Sequence, residues 1–118
     1  MLKKETFELR LNKKPFDSIK NGEKTVEMRL YDEKRQQINI GDFIVFKLRD
    51  NEEELIKTVV QDVDVFLNFE QLYASCDKVA LGYKENEEAS YKDMEEYYSK
   101  EEQAKYGVVA ITVELVKE

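Results

Sequence analysis

The feature that most constrains this chain is a period-two alternation of apolar and polar side chains that returns in separate short runs. Thr6 to Leu11 sets Phe7, Leu9 and Leu11 against Glu8 and Arg10, as a strand buried on one face does. Lys24 to Tyr31 repeats the pattern, with Val26, Met28 and Leu30 on one side and Thr25, Glu27, Arg29 and Tyr31 on the other. A helix cannot use such a repeat, because its side chains recur every 3.6 residues. Phe43-Ile44-Val45-Phe46 is a continuous apolar run typical of a strand covered on both faces. Leu55 to Phe66 reads as a long strand that bends, since Val59, Val63 and Val65 share a parity that Val60 breaks. Val108 to Val116 is a β-prone last strand with Val109, Ile111, Val113 and Leu115 on one face.

Between these runs the spacing turns helical. Pro15, Phe16 and Ile19 followed by Gly22 predict a short helix with a glycine stop. Phe69, Leu72, Tyr73 and Cys76 predict another, closed by Gly82. Residues 84 to 105 carry eight acids, with Tyr91, Met94, Tyr97 and Tyr98 at helical spacing, and read as a solvated acidic helix. Ser99-x-x-Glu102 resembles a capping box for another helical turn. No repeat or linker interrupts the 118 residues, so one domain spanning 1–118 is expected. Its class is α+β, a small β-barrel of about five or six strands with short helices in the connections. First and last strands should close it around one core of Phe7, Leu9, Val26, Met28, Phe46, Val109 and Ile111.

Composition then removes whole classes of chemistry. There is no histidine, which excludes Ser-His-Asp and Cys-His nucleophiles and His-ligated zinc. The single cysteine, Cys76, can form neither an internal disulfide nor a Cys-based metal site and is expected to be a buried structural thiol. No metal or cofactor is expected. The N-terminal residues lack an apolar h-region, and no run of 18 apolar residues occurs. The expectation is a cytoplasmic protein with no membrane association. Net charge is −7, which argues against a broad phosphate-backbone footprint. The charge is uneven, however: residues 1–50 hold 12 Lys/Arg against 9 Asp/Glu, and residues 51–118 hold 7 against 17. A locally basic site on an acidic protein suits a small anionic or nucleoside-like ligand better than a long duplex.

One junction gathers groups able to do chemistry. Gly22-Glu23-Lys24-Thr25-Val26-Glu27-Met28-Arg29 places a helix stop, an amine, a carboxylate and a guanidinium together. If that strand face lines a cleft, Arg29 offers a planar fork to phosphate or a base edge, and Glu27 accepts from an exocyclic amine. Lys24, once desolvated, can act as a general base, Thr25 shares the face, and Tyr31 can stack on a base. The alternative is an exposed sheet face with Glu/Arg cross-strand pairing. Spacing alone does not decide between them.

Gly22-x-Lys24-x-x-Glu27-x-Arg29, followed by Ile40-Gly41-Asp42 ahead of an apolar strand, resembles the ASCH domain (activating signal cointegrator homology), a compact barrel related to PUA. The likeness extends through the Pro15-Phe16 helix, Arg29-Leu30-Tyr31-Asp32, the region from Phe66 to Tyr73, and Tyr97-Tyr98-Ser99-Lys100-Glu101-Glu102 leading into Tyr106-Gly107-Val108-Val109. The resemblance implies an RNA-binding domain whose motif residues line a cleft. Some small bacterial members are amidohydrolases that deacetylate N4-acetylcytidine, and others cleave RNA. In the amidohydrolase type the motif lysine matches Lys24, a threonine falls where this chain has Glu27, and a further glutamate corresponds to Glu87 or Glu88. The leading expectation is recognition of RNA or a nucleoside-like ligand. The alternatives are a metal-independent amidohydrolase using Lys24 and Glu27, and a protein-interaction module built on the acidic 84–105 segment.

Overall fold

Each alternating run becomes a strand, and the glycines and caps between them set the helices. The computed structural model describes residues 3–117. The strands are β1 (Thr6–Leu11), β2 (Val26–Leu30), β3 (Phe43–Leu48), β4 (Asn51–Phe66) and β5 (Val108–Leu115). The helices are α1 (Lys13–Lys20), α2 (Phe69–Ser75), α3 (Lys78–Leu81), α4 (Lys92–Glu95) and α5 (Lys100–Tyr106), with a 3-10 turn at Arg35–Gln37.

The five strands form one sheet in the order β1-β3-β4-β5-β2, with β1 parallel to β3 and every other pair antiparallel. First and last strands therefore do not close the sheet: β5 is interior, and the two edges are β1 and β2. Laid flat, those edges would lie roughly 19 Å apart at the usual strand spacing. Yet Nη2 of Arg29 on β2 donates to the Arg10 carbonyl on β1 at 2.9 Å. The sheet must curl almost into a barrel and stop one strand pairing short. The parity break at Val60 is one source of the bend, because the β4–β5 register shifts between Val60 and Asp62.

The expected single core is two cores, one on each face of the sheet. Leu9, Phe46, Val109 and Ile111 join Phe16 and Ile19 of α1 on one face, with Phe7 packed at their margin. Val26 and Met28 lie on the opposite face with Leu30, Phe69, Leu72, Leu81, Val108 and Ala110. Parity fixes which residues of a strand go together, not which side of the sheet they join. Strand β5 supplies both cores, odd residues to the first and even residues to the second.

The acidic segment also departs from expectation. It is not one helix but a loop, the short α4 and then α5. Lys78 Nζ binds the carbonyls of Glu85 and Glu87, each at 2.8 Å, and holds that backbone in an irregular path. Ser99 and Glu102 form the full capping box that starts a new helix at α5. The buried Gln103 then accepts from the Phe69 N–H at 3.1 Å and donates to the Tyr98 carbonyl at 3.3 Å, tying α5 to the start of α2. Cys76 is free and half-buried, and burial followed by the nearby Asp64 pushes its thiol up. No helix among the described residues is long and apolar enough to cross a membrane.

Candidate functional site

The junction after α1 is shaped by backbone capture. Gly22 takes a φ of +84°, and the N–H groups of Glu23 and Lys24 both donate to the Ser18 carbonyl at 3.0 Å. Thr25 N–H then donates to Ala80 at 3.0 Å, and β2 begins. The Lys24 side chain is turned inward across Gly82, whose φ is +113° and where a Cβ would lie 3.2 Å from Lys24 Cδ. Only a glycine lets the stem pass there without displacement.

Inside, Glu27 is surrounded. Its Oε1 meets Lys24 Nζ at 3.0 Å and accepts from the Met28 N–H at 3.2 Å. Its Oε2 accepts from Arg29 Nε at 3.1 Å and Nη2 at 2.9 Å, a forked contact. The side chains of Lys24, Glu27 and Arg29 are 9%, 5% and 13% exposed, so the exposed-face alternative does not hold. Burial is the largest influence on Glu27 and pushes its carboxyl up, but the charges and hydrogen bonds of Lys24 and Arg29 outweigh it and hold it below its ordinary value. Burial likewise pulls the Arg29 guanidinium down, and the Glu27 carboxylate and then the Tyr98 phenol reverse this, leaving it raised. Two cations share one anion, so the cluster keeps a net positive charge away from water.

This cluster opens on a cavity of about 380 Å³ between β1, the α1 start and β2 on one side and residues 73–98 on the other. Lys24, Glu27 and Arg29 line it, while Thr25 and Tyr31 do not. Tyr31 packs at the margin of the first core instead, and Thr25 lies just before β2, its N–H and carbonyl committed to Ala80 and Val113. Glu87 lines the cavity and Glu88 does not.

The opposite wall was not foreseen from spacing. Tyr73, Tyr83, Tyr97 and Tyr98 bring four phenol rings to it. Tyr73 and Tyr83 share a hydroxyl contact at 2.9 Å, and Tyr83 donates to Asp93 at 2.6 Å. Burial first, then the hydrogen bonds with Asp93 and Tyr73, push the Tyr83 phenol far up, so it stays a donor. Arg10 and Arg49 at the rim were equally missed. The local signal for the rings was the adjacent Tyr97-Tyr98 pair, which helical spacing drew into the acidic-helix reading. No group of His, Cys, Asp and Glu able to hold a metal occurs among the described residues.

Comparison with known proteins settles the family. The ASCH domain model matches residues 9–117 of this chain. The chain belongs to the ASCH domain family. No curated protein matches it. Among solved structures, this ASCH chain is similar to the hypothetical protein PH0355, with 30% identity, a TM-score of 0.78, and coverage of 94% of this chain and 99% of that one. It is also similar to the protein PF0455 from Pyrococcus furiosus, with 29% identity, a TM-score of 0.65, and coverage of 96% and 99%. The ASCH domain from Lactobacillus crispatus shares the fold at 14% identity and a TM-score of 0.65, covering 94% of this chain and 79% of that one.

Proposed function

We propose that this ASCH protein, acting as a single cytoplasmic domain, binds RNA or a nucleoside-like ligand in the cleft between the sheet and residues 73–98. One observation carries the reading: a buried, net-positive Lys24–Glu27–Arg29 cluster faces a wall of tyrosines across a cavity of about 380 Å³. The size is that of a small-ligand pocket, and its lining mixes tyrosine rings with charged groups. Tyrosine rings stack on any base, and the remaining donors of Arg29 can reach a base edge or a phosphate. A chain of net charge −7 repels a long polyanion, so selectivity for single strands or nucleosides follows.

NMR titration with ribonucleosides and short single-stranded RNA tests this. Shifts should concentrate on Lys24, Arg29, Tyr83 and Tyr98, and the slope of log affinity against log salt should be about −1 to −3. Arg29→Lys should weaken binding although charge is conserved, because the ammonium lacks the planar fork. Tight duplex binding with a slope steeper than about −5 would place the contact surface elsewhere.

A second reading, amidohydrolase action on an N4-acetylcytidine-type nucleoside, draws support from Glu87, one of three carboxylates that line the cavity with Lys24. Glu27 stands where the amidohydrolase pattern has a threonine, and its carboxylate is engaged by both cations. Release of acetate from N4-acetylcytidine, abolished by Lys24→Ala, separates turnover from binding.

A further inference from the structure

We propose that Lys14 and Arg49, on the rim of the cleft, form a subsite for a phosphomonoester, so that the ligand is a nucleotide with a terminal phosphate and not the bare nucleoside. The inference rests on the binding reading above and adds its anionic half.

Charge is the first observation. The cavity lining carries five Lys or Arg side chains against three Asp or Glu, on a chain whose net charge is −7. The excess is also unevenly neutralised. Glu27 engages Lys24 and Arg29 in the depth of the cleft, and Glu52 engages Arg10 through contacts of 2.9 and 3.1 Å. Among the described residues, Lys14 and Arg49 enter no ion pair.

Positioning is the second. Arg49 is exposed but not free to swing at its base: its backbone N–H donates to the Leu11 carbonyl at 2.9 Å and its Nε to Asn12 Oδ1 at 3.1 Å. Asn12 occupies the N-cap of α1, where its side chain would normally accept from the helix, and it makes no such bond. Its oxygen holds the arginine instead. The two Nη groups of Arg49 have no protein acceptor within hydrogen-bond distance among the described residues, which leaves donors for phosphate oxygens. With the tyrosine wall opposite, the cleft offers rings to a base and an oriented cationic rim to a dianion.

Calorimetric titration of the wild-type chain with the four ribonucleosides and their 5′- and 3′-monophosphates, at fixed ionic strength, tests this directly. At least one monophosphate should bind roughly tenfold tighter than its own nucleoside, the gain expected of charge-assisted contacts to a dianion. The combined Arg49→Gln and Lys14→Gln variant should reduce that ratio to about twofold or less. Because the ratio is taken within one protein, a general loss of fold does not imitate the result. Nucleosides binding as well as their monophosphates to the wild type would overturn the subsite and leave the binding reading standing. Failure of both ligand classes would overturn the subsite together with the nucleoside form of the binding reading. A ratio that survives in the double variant would place the phosphate elsewhere and overturn the assignment. A trinucleotide with a 5′-phosphate, compared with its 5′-hydroxyl form, then tells an RNA end from a free mononucleotide.

Discussion

The two walls of the cleft are built on opposite principles. On the sheet side, Lys24, Glu27 and Arg29 project from five ordered residues of a strand and its entry, are almost fully buried, and meet through contacts of 2.9 to 3.1 Å. On the facing side, Tyr83, Asp93 and Tyr97 come from short helices and loops, and Tyr97 is 65% exposed. The first wall is fixed by charge in low dielectric, where a missing partner is expensive. The second is held by hydroxyl contacts, by Lys78 and by packing of Tyr73, Tyr83, Met94 and Tyr98 on the second core, and small changes at its exposed parts should loosen it without unfolding the chain. A ligand of the kind proposed would meet a buried, ion-paired floor and a more exposed aromatic cover.

The sharpest way to break this contrast is Glu27→Ala. It leaves two buried cations without their anion and should cost about 3–5 kcal/mol in urea unfolding. A loss below about 1 kcal/mol would mean that the floor is not held by its charges. The pH dependence follows the same group. The folded-state value of Glu27 lies below its unfolded one, so its contribution is complete above about pH 4.5 and is lost as pH falls through the folded value. Glu27→Gln should flatten that acid limb of the stability curve.

Gly82→Ala probes the point where the two walls touch. At φ +113°, with the new Cβ 3.2 Å from Lys24 Cδ, both strain and displacement follow. A cost of about 1–3 kcal/mol is expected, with chemical-shift changes at Lys24 and Glu27. Gly22→Ala is the control: it shares a positive φ, +84°, but meets nothing within 4 Å, so it should cost stability without disturbing the cluster. Equal shifts at Glu27 in both variants would refute a specific fit of the lysine stem.

The adaptable wall should respond least. Tyr83→Phe removes a hydroxyl bonded to Asp93 and Tyr73 and should cost about 1 kcal/mol. In an ultraviolet alkaline titration, Tyr73 and Tyr83 should ionise above the ordinary tyrosine value because burial raises both. Amide hydrogen exchange should show residues 84–99 opening at a lower free energy than β2 and β5. Equal protection across both walls would erase the distinction.

How much of this was legible divides along the same line. β1 and the motif strand could be read because alternation is a local signal, and Lys24, Glu27 and Arg29 came together because they occupy one junction. Thr25 and Tyr31 follow the same parity, but the cavity reaches only the middle of β2, so parity overextended the site at both ends. The assignment of Val26 and Met28 to the first core failed because a strand pattern does not name the face of the sheet. Arg10, Arg49 and the tyrosines were hidden for a third reason: they enter the cleft through curl and loop path, relations between residues up to 88 positions apart.

The unfinished barrel has one further consequence. A curled sheet that stops before closing leaves two free edges, and an uncovered edge is a template for a strand from another molecule. Val113 donates to Thr25 and Tyr31 donates to Gly107, which turns the odd residues of β2 toward β5 and the Met28 N–H toward the gap. Glu27 accepts that N–H, and Arg29 donates to the Arg10 carbonyl across the gap. The carboxylate and guanidinium thus take the place of ladder bonds that a fifth pairing, between β1 and β2, would have made. The side chains that line the cleft also satisfy two backbone groups that the open seam would otherwise leave for another strand.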